Sequence, residues 1–148
     1  MAIFESLQGM HLRSFNDDAS RGSFVDAWKS LGSDRRTGLL LTGDSLYPGR
    51  LYVNESNLPV YAASARRLAE FARAHPIAHV LGTHIEQSQT PYVDYPRGTT
   101  YQPEEHSLEL SRAHVLELDD AFARRKEGAE SIALPDFTIS VRPARQAR

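Results

Sequence analysis

Two short apolar runs, each ending at a glycine, constrain the fold of this chain more than any other feature. Leu39–Leu41 lies between Gly38 and Gly43, and Ile77–Leu81 runs directly into Gly82. Continuous apolar runs of this length are typical of strands that are covered on both faces of a sheet. We therefore predict two short buried strands, one ending at each glycine.

The segment between these runs has the clearest helical pattern of the chain. Apolar residues recur at i, i+3, i+4 and i+7 from Leu58 to Ala72, and the opposite positions carry arginine and glutamate. Asn57 can cap the helix, and Pro59 suits its first turn. His75 precedes a proline and should end the helix, because that position is driven out of the α region. Strand, helix and strand together predict a βαβ unit with parallel strands.

The remaining segments are more weakly patterned. Arg50–Val53 reads as a strand or extended piece, Ser111–Lys126 as a second helix, and Phe137–Val141 as a half-exposed strand because its apolar residues alternate. The long polar stretch Thr83–Leu110 contains three prolines. Loops of this length in compact domains are usually functional or disordered.

A length of 148 residues fits one domain of the α/β class. We predict a poorly patterned N-terminal segment at 1–37, with one short helix around Val25–Leu31, a domain at 38–142 and a basic tail at 143–148. The mean hydropathy of −0.45 is rather polar for a core that closes on itself.

Composition excludes several classes of function. Seventeen basic and nineteen acidic residues give a net charge of −2, without the basic surface that nucleic acid requires. The absence of cysteine leaves histidine, aspartate and glutamate as the strong metal ligands. The sequence has neither a secretory signal pattern nor an apolar run long enough to cross a membrane. We therefore expect a cytoplasmic protein with no membrane or nucleic-acid partner.

Two chemically capable residues follow the two predicted strands. Asp44 comes directly after the first strand, and His84 comes two residues after Gly82, which closes the second. The carboxyl ends of parallel strands meet at one edge of a sheet, where α/β folds place their sites. We expect a carboxylate and an imidazole to meet there.

These segments resemble the closing motifs of the metallo-β-lactamase superfamily, especially its glyoxalase-II-like hydrolases. Thr42–Gly49 matches the pattern TGD-x-L-x-PG, Gly82–His84 matches G-x-H, and the resemblance extends over roughly Gly38 to Leu118. It implies the C-terminal half of an αββα sandwich. It also makes Asp44 a bridging carboxylate and His84 a ligand of the second metal.

The implied activity is hydrolysis of an ester, thioester or amide in a small-molecule substrate by a metal-activated water. Zinc is the expected ion, with iron and manganese as alternatives, because aspartate and histidine suit all three.

The sequence lacks the family's other ligands. Its principal motif, H-x-H-x-D-H, is absent, and the only histidine before residue 75 is His11. If Ser20–Ser23 corresponds to the family's middle histidine motif, Ala19 occupies the ligand position. A catalytic zinc site needs about three protein ligands plus water. We therefore expect a truncated or split hydrolase, inactive alone, whose partner is an upstream half-domain or a second copy that covers an exposed apolar sheet face.

Two alternatives remain. The chain could be a non-catalytic degenerate domain that needs a partner chain. Gly43–Leu46 also spells GDSL, the nucleophile block of a family of serine esterases, which would make Ser45 the nucleophile, but the G-x-N-D and D-x-x-H patterns of those enzymes are absent. No role is assigned to the other residues considered, His75, His79, Tyr101 and His106.

Overall fold

The computed structural model describes residues 37–143, which contain two small mixed sheets and two α-helices. The elements in chain order are β1 (Leu39–Gly43), β2 (Arg50–Asn54), a 3₁₀ turn (Glu55–Asn57), α1 (Leu58–Ala74), β3 (His79–Gly82), β4 (Glu109–Leu110), α2 (Arg112–Ala123), β5 (Ser131–Ala133) and β6 (Thr138–Arg142). The α/β content agrees with the sequence. The helix predicted around Val25–Leu31 lies outside the described residues, as do His11 and Ala19.

The first sheet has the strand order β1-β3-β4 and contains the predicted βαβ unit. β1 and β3 are parallel, with Leu40 opposite Val80 and Gly43 opposite Gly82. β4 adds antiparallel to β3 and pairs Leu110 with Val80. The two glycine-terminated runs thus lie side by side, and their carboxyl ends meet at one edge.

The second sheet has the order β2-β6-β5 and joins segments that are far apart in sequence. β2 and β6 are parallel, with Leu51 opposite Ile139, and β5 is antiparallel to β6. Both of these segments, Arg50–Val53 and Phe137–Val141, were predicted as strands and are present as β2 and β6. Their pairing with each other is a tertiary feature that no local pattern indicated.

The core lies between the sheets and the two helices. Its largest fully buried members include Leu40, Val80 and Leu110 from the first sheet and Leu51, Phe137 and Ile139 from the second sheet and its entry. Ala65, Leu68 and Ala72 of α1 pack into the same cluster, as do Val115, Leu118 and Ala121 of α2. One hydrophobic cluster therefore connects the two sheets through the helices.

The two faces of the first sheet are covered to different extents in the described residues, although its apolar runs are typical of strands covered on both faces. Leu40 and Val80 are completely buried, but the opposite face carries Leu41 at 38% exposure and the half-buried Leu39 and Leu81. The helices cover one face, because side chains of consecutive strand residues point in opposite directions. The other face is partly open.

The helix ends follow the sequence signals with two corrections. Asn57 is the N-cap of α1, but its side chain makes no capping hydrogen bond, and His75 ends the helix in an extended conformation as predicted. α2 begins after Ser111, whose hydroxyl accepts from the Ala113 amide, and it ends at Ala123, before the predicted Lys126. Within residues 37–143, neither helix is long and apolar enough to cross a membrane.

Candidate functional site

Asp44 and His84 meet at the carboxyl edge of the first sheet. The Nε2 atom of His84 lies 3.1 Å from Oδ1 of Asp44, and the two side chains are 56% and 68% exposed, respectively. Parallel pairing of β1 with β3 produces this contact, because each residue follows the end of its strand. The proximity predicted from the sequence is confirmed, and the pair faces solvent.

The turn after β1 is tied to β3 by hydroxyl groups. Thr42 donates to the carbonyl of Leu46 at 2.7 Å and lies 3.1 Å from the carbonyl of Leu81. Thr83 donates to Oδ1 of Asp44, the same oxygen that faces His84. Gly43 has a φ of +54°, a conformation that glycine adopts without a steric penalty, and the chain turns there toward Asp44. These contacts fix the direction of the carboxylate.

Gly82 allows the turn to approach β3 closely. A Cβ atom at this position would overlap the Cβ of Tyr47 and lie 2.7 Å from the carbonyl oxygen of Leu46. The glycine that precedes His84 by two residues is therefore needed for packing. Any side chain there would push Tyr47 away from the strand.

Tyr47 packs against the imidazole of His84 and is itself anchored. The ring centroids are 5.3 Å apart with an interplanar angle of 74°, and the phenol donates to the carbonyl of Arg50 at 2.6 Å. Burial, reinforced by the nearby Glu86, raises the pKa of Tyr47 well above its ordinary value. The phenol therefore stays protonated, and its anchored ring packs against the histidine ring.

A charged cluster holds the segment after His84 to β2. Glu86 Oε2 accepts from the backbone amide of Arg50 at 3.0 Å and lies 3.4 Å from Nε of the Arg50 side chain. Asp94 lies 3.6 Å from Nη1 of the same arginine. Burial raises the pKa of Asp94, Arg50 opposes this shift, and Glu86 adds to it. The cluster fixes the start of the long loop beside the site.

A cleft of about 410 Å³ opens beside His84. Thr83–Ile85 forms one wall, and the other wall comes from five residues toward the end of the long loop: Thr99, Thr100, Gln102, Glu105 and Leu108. Most of these side chains are polar, and Glu105 is the acidic member. The long loop predicted from the sequence thus forms the far wall of the cleft.

A second carboxylate–imidazole cluster was not predicted. Asp136 binds His106 and His114 at 3.0 Å through its two oxygens. The sequence assigned His106 no role and did not single out the other two residues. The spacing Ser111-x-x-His114 could have signalled a capping box with histidine in place of glutamate, but nothing local marked Asp136.

The other residues without an assigned role have structural contacts or lie in solvent. The His75 Nδ1 atom lies 3.0 Å from the Phe71 carbonyl, and its ring stacks on Phe71. His79 contacts Glu109 at 2.6 Å, with both side chains half exposed, and Tyr101 is 77% exposed.

The geometry does not favour the serine-esterase alternative. The hydroxyl of Ser45 is buried and has no hydrogen-bond partner. A serine nucleophile needs an adjacent base within hydrogen-bond distance and an open approach for the substrate.

The described residues do not form a complete metal site. Across residues 37–143, no group of three or more histidine, aspartate or glutamate side chains is arranged to hold a metal ion. Asp44 and His84 therefore offer two donors, fewer than the three that a catalytic zinc site takes from protein.

No protein-family profile, curated protein or solved structure matches this chain.

Proposed function

We propose that this chain contributes half of a metal-dependent hydrolase centre, with Asp44 and His84 as two ligands of a divalent ion. The 3.1 Å contact between the exposed carboxylate and imidazole, at the ends of parallel strands, carries the proposal. A carboxylate oxygen and an imidazole nitrogen suit zinc first, with iron and manganese as alternatives. An ion bound between them would replace the direct contact that now joins the two side chains.

The surrounding residues support this role because they hold both ligands in place. Thr83 orients the Asp44 carboxylate, and the anchored ring of Tyr47 limits the rotation of His84. When bound, the ion would activate a water to attack an ester, thioester or amide carbonyl. The cleft beside His84 would receive a small-molecule substrate, with its polar loop wall facing the bond to be cleaved.

The finer fold assignment, the C-terminal half of an αββα sandwich, belongs to the same proposal. Its support is the partly open face of the first sheet, where Leu39, Leu41 and Leu81 lie. Apolar surface of this kind favours association at about 25 cal/mol per Å² buried. The proposed partner is an upstream half-domain that carries H-x-H-x-D-H and supplies the missing ligands.

Metal titration tests the ligand pair. Addition of Zn²⁺ to the isolated chain should shift the NMR signals of the His84 ring, with weak affinity because two ligands are too few. Asp44→Asn should abolish this shift of the His84 ring signals. His84→Gln should abolish zinc binding at the site. His79→Gln is the matched control, because it removes an exposed imidazole that also contacts a carboxylate. Zinc binding that survives His84→Gln would contradict the proposal.

The missing half can be sought in the coding DNA upstream of the start codon. An adjoining frame that encodes H-x-H-x-D-H would identify the partner, and co-expression should then yield a complex with zinc-dependent hydrolase activity. A complex that forms but stays inactive, with Asp44 remote from its metal, would refute the proposed role of this residue.

A non-catalytic degenerate domain is the second candidate, and the incomplete ligand set favours it for the chain in isolation. The isolated chain should hydrolyse neither thioesters nor p-nitrophenyl esters above background, with or without zinc. Zinc-dependent turnover that Asp44→Ala abolishes would show that the chain completes its own site.

A further inference from the structure

Asp136 joins two imidazoles from different parts of the chain. It lies in the turn between β5 and β6, where Oδ1 contacts Nε2 of His106 and Oδ2 contacts Nε2 of His114, each at 3.0 Å. The side chains are mostly buried, at 28% exposure for Asp136, 17% for His106 and 20% for His114. Both carboxylate oxygens are therefore used within the chain.

The second nitrogen of each imidazole is also used. Nδ1 of His114 accepts from the Ser111 amide at 2.9 Å, which places its ring proton on Nε2, facing Asp136. Nδ1 of His106 faces the Ser107 carbonyl at 2.6 Å, so both nitrogens of that ring face acceptors. All four ring nitrogens have hydrogen-bond partners. The cluster therefore suits a structural role, and none of its ring nitrogens is free to bind a metal.

The turn that carries Asp136 holds the long loop at three points. The Tyr92 amide donates to the Pro135 carbonyl at 2.9 Å, and the Gln87 side-chain amide donates to the same carbonyl. Near the end of the loop, His106 binds Asp136 through its ring and donates its backbone amide to the Gln87 carbonyl at 2.8 Å. Both ends of the loop are thus attached to one turn.

This attachment is close to the cleft. Glu105, which precedes His106, and Leu108, which follows two residues later, both line the cleft that opens on His84. The position of His106 therefore sets the position of the far wall.

We propose that Asp136 is a positioning residue that fixes the wall of the His84 cleft by binding His106 and His114 together. Its relevance to catalysis rests on the proposed function. Asp136 acts through the loop, because its side chain contacts His106 and His114 and not the Asp44–His84 pair.

Amide hydrogen exchange of the full chain tests the positioning. Asp136→Asn keeps the shape but replaces one acceptor oxygen with a donor, so one imidazole loses its partner. The amides of Glu105 and His106, which donate to Gln102 and Gln87, should exchange at least about tenfold faster, while α1 amides keep their wild-type rates. Glu109→Gln, which breaks an exposed carboxylate–imidazole contact, should change neither set.

Two variants of His106 provide a rescue test. His106→Gln keeps a donor that can reach Asp136 and should retain most of the protection, whereas His106→Leu should lose as much as Asp136→Asn. Equal acceleration of loop and α1 amides in Asp136→Asn would mean general destabilisation and would overturn the proposal. Unchanged loop amides would also overturn it.

Mn²⁺ broadening separates this inference from the proposed function. In the wild type, Mn²⁺ at the Asp44–His84 pair should broaden the signals of Thr83 and of Gln102 across the cleft. In Asp136→Asn, broadening of Thr83 should persist while that of Gln102 falls, and equal broadening in both proteins would refute the positioning role. If Mn²⁺ broadens neither residue in any variant, the proposed function fails, and the exchange rates still decide the role of Asp136.

Discussion

Two aspartates among the described residues contact imidazoles in opposite surroundings. Asp44 and His84 meet at an exposed sheet edge, with more than half of each side chain in solvent. Asp136 binds two imidazoles in a mostly buried cluster. Exposed ion pairs add little to stability, whereas removing one partner of a buried polar contact is costly. The same chemical groups should therefore serve ligand binding at the first position and structure at the second.

The difference lies in how the contacts are distributed. At the exposed pair, both Thr83 and His84 contact one oxygen of Asp44, Oδ1. In the buried cluster, each oxygen of Asp136 contacts a different imidazole. The other nitrogen of each ring contacts a backbone group. Contact between an aspartate and a histidine is therefore not sufficient to identify a functional site.

The largest expected effect on the free energy of unfolding concerns the two faces of the first sheet, of which one is buried and the other partly open. Leu40→Ala should lower the free energy of unfolding by about 3 kcal/mol, because it leaves a cavity in the core. Leu41→Ala, on the open face, should cost less than about 1 kcal/mol. Urea unfolding followed by circular dichroism measures both. Equal costs would show that the open face is covered by residues outside 37–143 or by a second copy.

Association sharpens the same comparison. We expect the isolated chain to bind hydrophobic dyes or to form dimers and larger species through its open face. Leu41→Lys should reduce both, and Leu39→Lys is a second probe of the same surface. A sharp monomer peak in sedimentation, with cooperative unfolding and no dye binding in the wild type, would mean that the chain closes its own core.

The next effect compares the two carboxylates directly. Asp136→Ala leaves two mostly buried imidazoles without their acceptor and should cost about 2 kcal/mol. Asp44→Ala should change the free energy of unfolding by less than about 0.5 kcal/mol, because its contacts are exposed. Chemical denaturation at neutral pH measures both. A cost for Asp44→Ala as large as that for Asp136→Ala would make the exposed pair structural and remove the main argument for a site.

A smaller effect concerns pH, through the Asp94 carboxyl that lies against Arg50. Because its folded pKa is raised, chiefly by burial, its contribution to stability is complete below its ordinary pKa and is lost as pH rises through the raised value. Asp94→Asn should remove this loss. The difference in unfolding free energy, variant minus wild type, should therefore increase with pH across the acid range. Parallel curves would show that Asp94 keeps its ordinary pKa.

The smallest effect is expected at Ser45. Ser45→Ala removes a buried hydroxyl that has no partner, so stability should stay within about 0.5 kcal/mol of wild type. Ester hydrolysis should remain at background in both proteins. Activity in the wild type that this substitution abolishes, and that chelators leave unchanged, would instead indicate a serine esterase.

The local part of this fold was predictable because its signals lie in short stretches of sequence. The runs ending at Gly43 and Gly82 and the periodic helix beginning at Leu58 gave the βαβ unit, and parallel pairing then placed Asp44 beside His84. The pairing of β2 with β6 and the second cluster were not predictable. Asp136 contacts His106 and His114, 30 and 22 residues away. No periodicity or turn signal links residues across such distances.

The position of β1 has a further consequence. In the described residues, β1 is the outer strand of the first sheet, with β3 on one side only. An outer strand presents unpaired amide and carbonyl groups that can accept another strand. A strand that adds in parallel to this side would end beside Asp44, and the loop that follows it would start next to the site. A partner could thus extend the sheet and deliver new side chains to the carboxylate by the same backbone pairing.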